Sequence, residues 1–134
     1  MLNILDMKLN TVETTESIII NKKKLDGDKM KITIARKCEK GIDEANSYIG
    51  NCIAELRLAS EENLDILDCS FAVRVSLTGY FTCNNPKTEI TDEQLQSSIM
   101  FELLPHVRAC MASTMTIAGV TPYMIPNSII PGLQ

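Results

Sequence analysis

The sequence predicts an α+β fold: a four-stranded antiparallel sheet with one long kinked helix packed on one face. Two observations predict it. Stretches in the N-terminal part alternate apolar and polar residues with a period of two, the mark of half-buried strands. The C-terminal part then switches to helical spacing from Glu93 to Ala118, with apolar residues around most of the circumference. Such a helix needs cover on more than one side. A single domain spanning residues 1–134 has one sheet face to offer it, so assembly into an oligomer is expected.

Leu5 to Ile20 reads as the first strand. Leu5, Met7 and Leu9 alternate before β-branched residues take over. Asp26-Gly27-Asp28 turns the chain toward a second strand, where Met30, Ile32 and Ile34 alternate with Lys31 and Thr33. A tight hairpin and a longer crossover both fit, and periodicity does not choose between them. The third strand, Ser47 to Ala59, places Cys52, Ala54, Leu56 and Leu58 on one face and Glu55 and Arg57 on the other. The fourth, Leu64 to Phe81, is the clearest. Leu67, Cys69, Phe71, Val73, Val75 and Leu77 alternate with Asp68, Ser70, Ala72, Arg74, Ser76 and Thr78. The polar turn at 60–63 makes these two strands an antiparallel hairpin.

The helix follows a break at Asn84-Asn85-Pro86. Thr91 and Gln94 have the spacing of a capping box, and Asp92 and Glu93 put negative charge at the positive end of the dipole. Leu95, Ile99, Leu103, Val107, Cys110 and Ile117 line one face; Met100, Leu104, Met111 and Met115 line an adjacent one. Glu102, His106 and Ser113 leave a narrow polar stripe. Pro105 removes one backbone hydrogen bond and should kink the helix, and Gly119 ends it.

Composition excludes several function classes. A formal charge of −4 argues against nucleic-acid binding, which needs a basic face to neutralise phosphates. The one basic cluster, Lys22-Lys23-Lys24, is closely followed by Asp26 and Asp28 and reads as solvated surface. No apolar run approaches the ~20 residues of a membrane span, and the N-terminus lacks the features of a signal peptide, so a cytoplasmic location is expected. Five cysteines without a C-x-x-C pair offer no zinc knuckle and read as reduced thiols. His106 is the only histidine and has no nucleophile or orienting partner nearby in sequence. No phosphate-cradling loop or metal-spaced cluster is present, so no catalytic residue, metal or cofactor is expected.

The string Phe101-Glu102-Leu103-Leu104-Pro105-His106-Val107-Arg108-Ala109-Cys110-Met111 resembles the first helix of SecB, the bacterial protein-export chaperone. Gly119 through Asn127 resembles the loop that follows it, with Pro122 and Pro126 in matching places. Tyr48 through Leu58 is similar to the family's third strand, and Gly79-Tyr80-Phe81 to the end of its fourth. The likeness runs from Met7 to Asn127. It implies a homotetramer, a dimer of dimers with the long helices sandwiched between sheets; Ile99, Leu103, Leu104, Val107 and Met111 would form the oligomer interface. It also implies that unfolded polypeptide clients lie in apolar grooves lined by the crossover, about 20–29, and by the loop after the helix. Ile20, Leu25, Met115, Val120, Tyr123, Met124 and Ile125 would contact them.

The resemblance further implies an ATP-independent holdase in preprotein export, with the motor SecA as partner. Three departures count against SecA. The chain ends at Gln134 without the family's second helix, it lacks the acidic tail presented to SecA, and Arg74 stands where the family has an acidic docking residue. These departures favour a SecB-like chaperone dedicated to a narrow client, such as an antitoxin. A scaffold oligomer with its apolar surfaces permanently occupied is the remaining alternative.

Overall fold

In the computed structural model, which describes residues 7–41, 46–83 and 91–121, four strands precede one helix. They are β1 (Met7–Asn21), β2 (Met30–Lys40), β3 (Ser47–Leu58), β4 (Phe71–Cys83) and α1 (Asp92–Ile117). The spatial order is β1-β4-β3-β2, with antiparallel pairing throughout. β2, β3 and β4 form a meander, while β1 lies beside β4 at the opposite edge. The segment 22–29 therefore crosses the sheet, which decides between the two connections that the sequence left open.

β1 is long but does not keep one phase. Its register against β4 shifts between Leu9 and Thr11 and again between Thr14 and Glu16. Each bulge inserts one residue and flips the alternation. Residues opposite the odd-numbered positions of β4, which face α1, thus run Met7, Leu9, Val12, Thr14, Ser17, Ile19 and Asn21. The strand reaches Asn21, and Leu5, expected at its start, lies outside the described residues. β2 extends beyond Ile34 as far as Lys40, pairing along the whole of β3.

The fourth strand begins at Phe71, seven residues later than expected, and Leu67 is 64% exposed. Local side-chain bonds hold the intervening backbone in turns instead. The Asp65 carboxylate accepts from the Leu67 amide at 3.0 Å, closing a short 3-10 turn, Ile66–Asp68. Glu61 accepts from the Ser70 amide at 2.9 Å and its hydroxyl at 2.8 Å. The Arg57 guanidinium donates to the carbonyls of Glu61 at 3.0 Å and Leu64 at 2.6 Å. Polar side chains that satisfy the backbone locally compete with the strand ladder.

α1 lies across one face of the sheet. Ile99, Met100, Leu103, Leu104, Val107, Met111 and Met115 are buried in one core with Phe71, Val73, Val75, Leu77 and Phe81 of β4 and Cys52, Ala54 and Leu56 of β3. Its N-terminal half comes close because small residues allow it. Gly50 and Gly79 face each other across β3 and β4, and a Cβ on Gly50 would stand 2.3 Å from Ile99 Cγ2. Ser97 and Ser98 are fully buried at the same end. The capping box forms as the spacing predicts: Gln94 N donates to Thr91 Oγ1 at 3.1 Å, and Thr91 N to Gln94 Oε1 at 3.2 Å. The helix runs unbroken through Pro105. Pro105 and Phe101, whose carbonyl would have been its partner, are both exposed. Ile117, expected among the inward residues, is 87% exposed. It follows Cys110 by two turns on the flank of the buried stripe, where Cys110 is already only half-covered. Among the described residues no helix is long and apolar enough to cross a membrane.

Candidate functional site

A cleft of about 570 Å³ opens where the crossover meets the chain leaving α1. Asn21, Lys22, Lys23, Lys24 and Leu25 line it from one side, and Ala118, Gly119, Val120 and Thr121 from the other. These segments lie far apart in sequence, and both are fixed by backbone chemistry rather than by bulk.

The helix side is a complete Schellman motif. Gly119, at φ 78°, takes the left-handed conformation that glycine tolerates without strain. Its amide donates to the Thr116 carbonyl at 3.0 Å, and the Val120 amide to the Met115 carbonyl at 2.9 Å. Val120 and Met115 both pack on the main core, the apolar contact that accompanies this cap. The crossover side is tied down at several points. The Lys22 amide donates to the Ser70 carbonyl at 2.8 Å, ending the β1–β4 pairing. Asn21 Nδ2 donates to the Ala118 carbonyl at 3.2 Å and joins the two walls. Beyond Leu25, Gly27 turns at φ 67°. The Asp26 amide donates to Asp28 at 3.0 Å, and Lys23 Nζ pairs with the same carboxylate at 3.1 Å. Those two contacts, the amide first, hold the Asp28 carboxyl below its ordinary pKa.

Of the residues expected to touch a client, Leu25 and Val120 line this cleft together, each half-buried on the core. Met115 lies underneath, 2% exposed, as the anchor of the cap rather than as a contact surface. Ile20 turns to the other side of the sheet, packing with Ile18 on Ile66, Cys69 and Ala72. The second bulge in β1 sets that phase. Tyr123, Met124 and Ile125 lie outside the described residues. The lysines and Asn21 are lining residues that sequence reasoning missed. A run of lysines beside aspartates looks like ordinary solvated surface, and only the fold brings it to the cleft.

The five residues expected at an oligomer interface are used differently. Ile99, Leu103, Leu104, Val107 and Met111 are 0–2% exposed beneath the sheet of their own chain, which leaves them no surface for a second copy. The exposed outer face of α1 carries Phe101, Pro105, Ala109 and Ser113 instead.

The sheet's far face carries a charged ladder. Glu55 accepts from Arg57 Nη2 at 2.6 Å and lies 3.6 Å from Arg74 Nη2, while Glu16 lies 3.7 Å from Arg74 Nη1. The position compared above with an acidic docking residue is thus a guanidinium between two carboxylates. Among the described residues no three His, Cys, Asp or Glu side chains converge as a metal set. His106 is exposed on the outer side of α1. Burial pushes the Cys38 and Cys52 thiols up to about 11, against a smaller opposing pull from Arg36, so neither is a ready nucleophile.

No family model and no curated protein matches the chain. Among solved structures it is similar to the Mycobacterium tuberculosis SecB-like chaperone Rv1957, in complex with a ChAD peptide from the Rv1956 HigA1 antitoxin. The TM-score is 0.63, and the alignment covers 90% of this chain and 86% of that one. The fold is SecB-like. Sequence identity is 10%, so the likeness is one of fold.

Proposed function

We propose that this chain is an ATP-independent holdase that keeps a polypeptide client unfolded in the cleft between the crossover and the loop after α1. One observation carries the reading. The two elements that the SecB resemblance assigns to clients meet in this chain, and each contributes an apolar wall, Leu25 and Val120. An extended segment laid there gains ~25 cal/mol for each Å² of apolar surface removed from water, and no nucleotide is required. Tyr123, Met124 and Ile125, which follow Thr121 in sequence, are proposed as further client contacts on the same resemblance.

A narrow client is preferred to general export. The similar Mycobacterium tuberculosis chaperone was solved with an antitoxin peptide, and the Glu16–Arg74–Glu55 ladder is a poor match for an acidic SecA-docking position. Cytoplasmic location, a non-enzymatic role and a homotetramer belong to the same proposal. The exposed outer face of α1, with Phe101 and Pro105, is the surface we assign to a second copy.

The test is native mass by light scattering, with a reduced unfolded protein and with its folded form. A particle near four chain masses that gains mass only with the unfolded form supports the holdase. A particle that ignores the unfolded form refutes it and leaves a scaffold oligomer as the better reading.

A further inference from the structure

We propose that the cleft selects its client by charge: its occupant is an extended polypeptide segment whose apolar residues are flanked by aspartate or glutamate. This inference rests on the holdase reading and narrows it.

The cleft lining contains Lys22, Lys23 and Lys24 and no carboxylate, in a chain whose formal charge is −4. Lys23 is compensated by Asp28 at 3.1 Å. Among the described ion pairs, neither Lys22 nor Lys24 has a carboxylate partner. The Lys22 ammonium donates to the carbonyl of Leu67, which is not a lining residue, at 3.3 Å. This occupies one N–H at the edge of the cleft without neutralising the charge, and Lys24 has no such contact among the described bonds. Asp26 is the nearest opposing charge in sequence, but it is not among the lining residues, and Lys29 follows it.

The negative end of the α1 dipole could have cancelled this field, since it points at the same cleft. Three of its last four carbonyls are already occupied. The carbonyls of Thr114, Met115 and Thr116 accept from the amides of Ala118, Val120 and Gly119, and the Ala118 carbonyl accepts from Asn21. A ligand in the cleft therefore meets two apolar walls with ammonium groups beside them. Lysine stems add to the apolar surface while their heads stay wet. An apolar segment with acidic neighbours satisfies both features, whereas a basic one would place like charges together.

The test uses the full chain and two labelled peptides of about 12 residues with one shared leucine-valine centre, flanked by aspartates in one and lysines in the other. Binding is followed by fluorescence anisotropy. The acidic peptide should bind about tenfold tighter than the basic one in dilute buffer, and the gap should close near 0.5 M salt, where screening is strong. Lys22→Glu with Lys24→Glu should reverse the order while leaving the circular dichroism spectrum unchanged. Equal affinities for the two peptides, a gap that ignores salt, or an order that survives the double substitution would each overturn the charge selection and leave the holdase intact. Failure of both peptides, with unfolded protein still held, would overturn this cleft as the site of selection. Failure of both peptides and of unfolded protein would remove the holdase reading as well.

Discussion

Replacing Gly50 by alanine tests how α1 is seated on the sheet. The added Cβ would stand 2.3 Å from Ile99 Cγ2 and 3.5 Å from Phe81 Cε2. The second contact is ordinary, but the first cannot be accommodated without movement. Ile99 is β-branched and fully buried, so its Cγ2 cannot swing aside, and either the helix or β3 must shift. Overpacking of this kind costs about 1–3 kcal/mol. An opposing term exists, because alanine for glycine at a φ that alanine tolerates stabilises by about 0.4–1 kcal/mol through the unfolded chain, and Gly50 has no positive φ. The clash should win, leaving a net loss of about 1–2 kcal/mol. Urea unfolding by circular dichroism measures it. Truncating the obstacle should then invert the sign. Ile99→Ala alone should cost about 2–5 kcal/mol for the cavity it leaves. In that background Gly50→Ala should be neutral or stabilising, since its methyl enters vacated space. If the two substitutions add within about 0.5 kcal/mol, the sites are independent, and close approach of α1 at Gly50 is not what the glycine is for.

Gly119→Ala should cost about 1–2 kcal/mol in urea unfolding, all of it conformational, because nothing lies within 4 Å of the added methyl and φ is +78°. An unchanged midpoint would contradict the left-handed cap. Leu104→Asp should abolish folding, at about 4 kcal/mol or more, since it buries a charge under the sheet. A folded variant that merely loses mass by light scattering would return Leu104 to the oligomer interface. The buried Cys52 thiol makes stability depend on alkaline pH. Its folded pKa of about 11 lies above the ordinary 9.0, so the unfolded chain loses its proton first. Stability should hold below pH 9 and fall between 9 and 11. Because Cys38 is raised to about 11 as well, Cys52→Ala should reduce that slope, and only the double variant with Cys38→Ala should come close to removing it, in urea midpoints measured across the range.

Much of the fold is legible because two signals are local. Phe71, Val73, Val75 and Leu77 alternate on a strand with no bulge, and the Thr91/Gln94 box and Gly119 mark the ends of α1 without reference to anything distant. What could not be read depends on local bonding or on tertiary placement. Leu64 to Ser70 is as rich in apolar residues as a strand, though its alternation slips at Ile66-Leu67, and Asp65 and Glu61 bond its backbone into turns. In β1 the bulges at Asn10 and Thr15 invert the phase twice, so no single period describes it; the second inversion restores the odd-numbered phase of Met7 and Leu9, and Ile20 faces away from the cleft. The spacing showed that α1 is apolar on two adjacent faces. It did not show that one sheet is broad enough to cover both, which is why Leu104 and Met111 are core rather than interface. The candidate site was half legible. Leu25 and Val120 are apolar residues in loops, while the lysines beside them acquire meaning only when the crossover meets the helix end.

The central claim is that the cleft beside Leu25 and Val120 holds unfolded polypeptide. The most direct measurement places a photo-crosslinking residue at Thr121, an exposed member of the lining, and irradiates the protein with a client in its unfolded and its folded form. Covalent capture of the unfolded form alone, competed away by unlabelled unfolded client, is the predicted result. Equal capture of both forms, or none while the same protein still suppresses the client's aggregation, would contradict it.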